Sequence, residues 1–361
     1  MPGSRISLSA RTVFAASVFG VPLAAGLVEA VRSASSAAVG ASYPTPGGTL
    51  AGHAGSGGFM WMMLRAALES LGVEPAAALR LLSLLSWMGL LAVLVVHAVR
   101  APIGPWTAAS ATGHPAGARS AGLLMLPVAA WGVALHRDAQ MQAAAGSDVS
   151  LLGLLLSGGL LLLVNHPRKV ELVAAVYALT VLLRPEGLLF SGTALVYVLW
   201  RHGRRPAGRF AAVWGALVLP WVTWLCFEDW RGLLRAALGD PPGSASWSQA
   251  WAPTFVYFQI YAVLPLCGSS ALAGWIAATA GRRARDPRLD VVLVAQVQVV
   301  LALVAVARAG GDFVFGRVCI PVTPLLYLMA EEAVRVTGRW FAVIGLAVVV
   351  LAMTLGAWRS G

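Results

Sequence analysis

The sequence predicts an all-α polytopic membrane protein, a bundle of about eleven transmembrane helices with its amino terminus in the cytoplasm. Three observations predict it. The 361 residues are 58% hydrophobic and only 11% charged, where a soluble domain carries roughly 25% charged residues. The apolar runs recur at lengths suited to spans of about 20 residues. The arginines sit in short caps between those runs, where positive charge marks the cytoplasmic side.

The first run lies near 12–31. Arg5 and Arg11 precede an apolar stretch from Val13 to Val28, and Val28-Glu29-Ala30 follows. That pattern suits a signal peptide cleaved after Ala30 or an uncleaved first helix. Because many spans follow, the uncleaved anchor over 1–31 is the expectation. Residues 32–78 are expected to form an outer loop. Its first part, 32–56, is rich in Gly, Ser and Ala and carries His53. Its second part sets Phe59, Met60, Trp61, Met63 and Leu64 beside Arg65 and Glu69. The two charges are four residues apart and share a face, which suits an amphipathic helix lying along the membrane interface over 57–74.

Spans are expected near 79–99, 121–136, 149–164, 170–184, 187–200, 208–226, 254–280, 289–308, 318–336 and 339–357, so that 79–357 completes a single transmembrane domain over 1–361. No repeat of 20–50 residues and no heptad run interrupts them. Three basic caps orient the bundle: His166-Pro167-Arg168-Lys169, Arg201-His202-Gly203-Arg204-Arg205 with Arg209, and Gly281-Arg282-Arg283-Ala284-Arg285 with Arg288. All three fall on one side without a span being added or dropped, and the whole net charge of +11 then lies inside. Charge spread through such caps is not a nucleic-acid footprint, so no nucleic-acid partner is expected. Cys226, Cys267 and Cys319 fall in or beside apolar runs. Their odd number and wide spacing exclude a disulfide framework or a zinc site, leaving buried thiols.

The same threading gathers polar residues on the outer side. Glu29 stands just before the first loop and His53 within it. Gly146-Ser147-Asp148 heads the 149–164 span. Arg184-Pro185-Glu186-Gly187 lies between two short apolar runs. Gly310-Gly311-Asp312-Phe313 leads to Gly316-Arg317 and then to Pro321 and Pro324. The 227–253 loop adds Glu228, Asp229, Arg231 and Gly239-Asp240-Pro241-Pro242. Singly, each charge could be a helix-end group reaching for water or a structural ion pair. Together on one face they mark a functional site, since ionisable groups near a bilayer are costly. Pro185 breaks the helix between Arg184 and Glu186, and Gly187 lets the chain turn at once. Irregular backbone at membrane depth is tolerated where it is buried in protein or lines a cavity. An arginine there suits a phosphate, which its planar fork grips through two bonds.

Arg184-Pro185-Glu186-Gly187-Leu188-Leu189 followed by Gly310-Gly311-Asp312-Phe313-x-x-Gly316-Arg317-x-x-x-Pro321-x-x-Pro324 resembles a known pattern. It is similar to that of the polytopic membrane glycosyltransferases of the GT-C class, nearest to the actinobacterial terminal β-(1→2) arabinofuranosyltransferases. Gly146-Ser147-Asp148 falls where that family has a Gly-Leu-Glu signature. Gly239-Asp240-Pro241-Pro242 resembles the start of a Gly-Asp-x-x-Pro-Asn-Thr stretch, and Gly55 to Trp61 loosely resembles a Gly-Tyr-Thr-x-Phe-Leu-Trp stretch. The resemblance spans roughly residues 12–336. The chain is divergent. Val28-Glu29 stands where the family carries an Asp-Asp pair, Pro242-Gly243-Ser244 replaces Pro-Asn-Thr, and the family's soluble outer domain has no counterpart in the sequence.

The resemblance implies a GT-C-like bundle and an enzyme of the cytoplasmic membrane with its site on the outer face. It implies a polyprenyl-phosphate-linked sugar donor, with arabinofuranose as the nearest precedent, and an acceptor that is a cell-envelope glycan or another outer-surface molecule. Membrane lipid is the surrounding partner. Glu29 is then the candidate base by position, with His53 a second. Arg184 and Arg317 would hold the phosphate. Asp312, Asp148 and Glu186 would orient these groups or coordinate a divalent cation. Two other readings share the same spans: a catalytically inactive relative acting as a scaffold or subunit, and a transporter of lipids or small molecules.

Overall fold

The computed structural model describes residues 59–100, 127–238, 287–308 and 319–337. Among the described residues the regular structure is all helical, with no strand. In chain order it comprises α1 (Phe59–Ser70), α2 (Pro75–Arg100), α3 (Val128–Ala134), α4 (Arg137–Ala144), α5 (Val149–Asn165), α6 (Val170–Leu183), α7 (Gly187–His202), α8 (Arg204–Leu238) and α9 (Pro287–Arg308). A 3-10 turn, Ile320–Val322, then leads into α10 (Thr323–Thr337).

Two of these helices, over Pro75–Val99 and Leu289–Val306, are long and apolar enough to cross a membrane. A third span is added if Asp138–Ala144 and Val149–Asn165, which meet at 115°, count as one broken crossing. Leu-rich α5 packs closely on α2 and on α6. Gly159 makes the second contact possible: a Cβ there would stand 3.2 Å from Val176 and 3.3 Å from the Tyr177 ring. Small residues at such a crossing let two backbones approach. The continuous core holds Trp87, Tyr177, Phe210, Leu156, Leu160 and Tyr327, all fully buried.

Ion pairs and hydrogen bonds sort the helix ends into two groups. At one end Arg209 Nη1 meets Glu171 Oε1 at 2.9 Å, and Arg201 Nε meets Asp290 Oδ2 at 3.1 Å. The starts of α6, α8 and α9 and the finish of α7 therefore lie together, which brings the His166–Lys169 and Arg201–Arg209 caps to one end beside Pro287. At the other end Ser83 Oγ donates to the Ser147 carbonyl at 2.8 Å and Arg184 pairs with Asp148. The connections at 146–148 and 184–186 are thus remote from the basic caps.

Several boundaries differ from the sequence expectation. The expected span 121–136 is represented in its described part by the short α3. Pro127 stands at its amino end, and His136, at the far end, caps α4 instead by accepting from the Ala139 N–H at 3.2 Å. Residues 137–144, between the expected spans 121–136 and 149–164, are helical, with His136 as the cap. The expected span 208–226 starts earlier and runs on to Leu238, with Pro220 inside. The helix expected over 57–74 is present as α1, with Arg65 Nε 3.0 Å from Glu69 Oε1 and both side chains exposed. Its Trp61 turns inward and joins the core. The expected spans 12–31, 254–280 and 339–357 lie outside the described residues.

Candidate functional site

The break after α6 follows from Pro185. A residue preceding proline is pushed from helical to extended backbone, and Arg184 lies at φ −152°, ψ 138°. Its N–H still donates to the Thr180 carbonyl at 2.9 Å, closing the last turn. The Gly187 N–H then donates to the Arg184 carbonyl at 2.9 Å and α7 begins. Only glycine fits at 187, because a Cβ would stand 2.4 Å from the Thr180 carbonyl carbon.

This geometry turns the Arg184 side chain onto Asp148. Nε donates to Oδ2 at 2.8 Å and Nη2 to Oδ1 at 2.9 Å, a two-bonded pair between buried groups. Asp148 stands at the head of α5, yet its side chain does not cap that helix. Ser147 Oγ instead accepts from the Val149 N–H at 3.2 Å, so the carboxylate is available to the arginine. Gly146 sets the approach: it lies at φ +76°, and a Cβ there would be 3.0 Å from the Arg80 backbone nitrogen. Gathering opposite charges in this way offsets the cost of removing each from water.

Glu186 is half-buried on the next turn. Its Oε2 is buried and has no hydrogen-bond partner among the described residues, and its side chain does not cap α7. Arg184 and Glu186 line one narrow cavity with Leu152, Phe190, Pro321 and Val322. Its free volume of about 20 Å³ suits a single water-sized group. Pro321 closes the second glycine-bearing motif of the sequence, so the tail of that motif forms one wall of the cavity. Beside it an apolar groove runs along α7 and α9 from Leu188 and Leu189 to Trp200, faced by Leu293, Val297 and Leu301.

Of the residues expected at the site, the structure joins Asp148, Arg184 and Glu186 around one turn. Glu29, His53, Asp312 and Arg317 lie outside the described residues. One role is altered by the geometry. The Nε/Nη2 edge of Arg184, one of the edges suited to a two-bonded phosphate contact, is taken by Asp148. Among the described residues no group of three or more His, Cys, Asp or Glu side chains could hold a metal ion.

Further buried polar groups lie outside the expected site. His97 Nε2 lies 3.0 Å from Glu332 Oε1, and Glu331 Oε2 accepts from the Ala129 N–H at 2.8 Å. Both carboxylates are fully buried in α10. Two adjacent acids inside an apolar run are an available signal for an interior role. Tyr197 Oη donates to Asp290 Oδ2 at 2.9 Å, and Gln298 Nε2 donates to Tyr177 Oη at 2.9 Å. These contacts tie α7 and α6 to α9 and belong to packing.

No protein-family model, curated protein or solved structure matches this chain.

Proposed function

We propose that this chain is a multi-pass membrane glycosyltransferase. It transfers a sugar, with arabinofuranose the nearest precedent, from a polyprenyl-phosphate donor to a cell-envelope glycan or another acceptor on the outer face of the cytoplasmic membrane. The observation that supports this reading is the depth and pairing of Arg184. The 14 residues of α6 rise about 21 Å, short of the roughly 30 Å hydrocarbon core. With the basic caps at the cytoplasmic surface, the Arg-Pro-Glu-Gly turn stops below the outer surface. An arginine at that depth requires a carboxylate, and Asp148 provides it. An anion arriving from the lipid would meet a fixed cation there, oriented by Asp148 and adjoining the wall of Pro321 and Val322. Arg317, four residues before Pro321 in the sequence, is the second cation in this reading. The apolar groove beside Leu188 and Leu189 continues from the same turn and suits the donor's isoprenoid chain, which needs apolar walls and no polar partner.

The test uses the full chain in proteoliposomes with a polyprenyl-phosphate arabinofuranose donor and a short arabinofuranoside acceptor. The donor should bind more tightly than the corresponding polyprenol lacking phosphate, and labelled sugar should appear on the acceptor. Arg184→Lys keeps the charge but loses the planar fork, and should weaken donor binding by about tenfold or more. Equal binding of donor and phosphate-free polyprenol would sink the proposal. A second reading, an inactive relative serving as a scaffold, is favoured by the guanidinium edge that Asp148 occupies. Donor binding without sugar transfer would select it.

A further inference from the structure

We propose that Glu186, rather than Glu29, takes the proton from the attacking acceptor hydroxyl. This assignment rests on the transferase reading and deepens it. The carboxylate nearest in the fold to Arg184, Asp148, is already committed: each of its oxygens accepts a bond from the guanidinium, at 2.8 and 2.9 Å. Glu186 is in the opposite condition. Its Oε2 is buried and has no donor among the described residues, and its side chain does not cap α7. Buried carboxylate oxygens without donors are rare, and each calls for an absent partner.

The cavity shared by Glu186 and Arg184 indicates what that partner is. Its volume of about 20 Å³ admits one water-sized group and no sugar ring. A single hydroxyl inserted from an acceptor fits, with the ring left outside. The hydroxyl proton would pass to Glu186 Oε2. The hydroxyl oxygen would form its bond to the anomeric carbon of the donor sugar, and the bond from that carbon to the phosphate oxygen would break. The bonding electrons leave with the polyprenyl phosphate. The proton then returns to solvent and resets the carboxylate. Proton, electron pair and leaving group are all accounted for without a redox partner.

The experiment compares wild type, Glu186→Gln, Glu186→Ala and Glu29→Gln as full chains in proteoliposomes. It measures donor affinity and transfer kinetics separately, with melting midpoints to confirm folding. Glu186→Gln should lower kcat at least about 100-fold while donor affinity stays within about twofold, the signature of a lost base rather than lost binding. Glu186→Ala should regain part of its turnover when formate is supplied, because formate fits the space vacated by the side chain and restores a carboxylate. A purely structural Glu186 would show neither the split nor the rescue. The assignment is overturned if Glu186→Gln keeps kcat within about fivefold of wild type. It is also overturned if donor affinity falls in step with turnover, or if Glu29→Gln alone abolishes transfer. Absence of transfer in wild type would instead defeat the transferase reading, and this assignment with it.

Discussion

Removing one member of the Arg184–Asp148 pair tests whether the turn is built around a buried charge. Asp148→Asn keeps the side-chain shape and deletes the negative charge; Arg184→Met deletes its partner. The Asp148 side chain is fully buried and that of Arg184 only 10% exposed, so solvent can do little to compensate. Breaking a buried ion pair from one side costs about 3–5 kcal/mol. Each single variant should therefore lose roughly 3 kcal/mol, with Asp148→Asn at the lower limit because the amide can still accept one bond. The double variant Asp148→Leu, Arg184→Met replaces the pair with apolar groups of similar volume and should recover most of that loss. A coupling of at least about 2 kcal/mol is expected, well outside the error of additivity for independent sites. Unfolding of the full chain in detergent, followed by helical signal against denaturant, reads each corner of the cycle. Single variants that each cost under about 1 kcal/mol, and that simply add in the double, would refute the reasoning. The orientation of Arg184 toward a ligand would then not depend on Asp148.

Gly187→Ala should destabilise by about 1–3 kcal/mol or more, since the new methyl would meet the Thr180 carbonyl at overlap distance. The control is Gly192→Ala on the same helix, where nothing lies within 4 Å; it should be neutral or slightly stabilising, and equal losses in the two variants would discredit the close α6–α7 approach. Single cysteines placed at positions 204 and 311 test the orientation: an impermeant thiol reagent added to intact cells should reach 311 and not 204, and the reverse pattern would invert the threading. His202 has its Nε2 buried without a partner among the described residues. Burial and then Arg201 hold its imidazole below the usual range, against an opposing pull from Asp290. Its folded form therefore binds a proton less readily than its unfolded form, so the fold should lose stability as pH falls below about 6.5. Melting midpoints of His202→Gln should show a smaller drop than wild type between about pH 7.5 and 5.5, and an unchanged drop would assign the acid sensitivity elsewhere. Arg65→Ala removes an ion pair whose members are both more than half exposed and should change stability by no more than about 0.5 kcal/mol.

The helical class of the chain was legible because it depends on local quantities. Apolar content, run length and the position of basic caps act residue by residue, and a backbone deprived of water must bond to itself. The break at Arg184-Pro185-Glu186-Gly187 was legible for the same reason: proline restricts its predecessor and glycine permits contact wherever they occur. Its partner was not. Asp148 lies 36 residues earlier, and no periodicity links the two positions. Which carboxylate meets the arginine was decided when α5 packed against α6 through Gly159. The same holds for His97 and Glu332, 235 residues apart and joined only where α2 and α10 finish at one end of the bundle. Helix limits also escaped the sequence, because α3 and α4 are bounded by caps rather than by changes in hydropathy. Sequence by itself determined that charges would stand among apolar helices, since composition sets the solvent each segment prefers. Tertiary structure decided which charges neutralise one another and which, like the Oε2 of Glu186, are left to meet something else, because pairing at bond distance depends on packing across the whole fold.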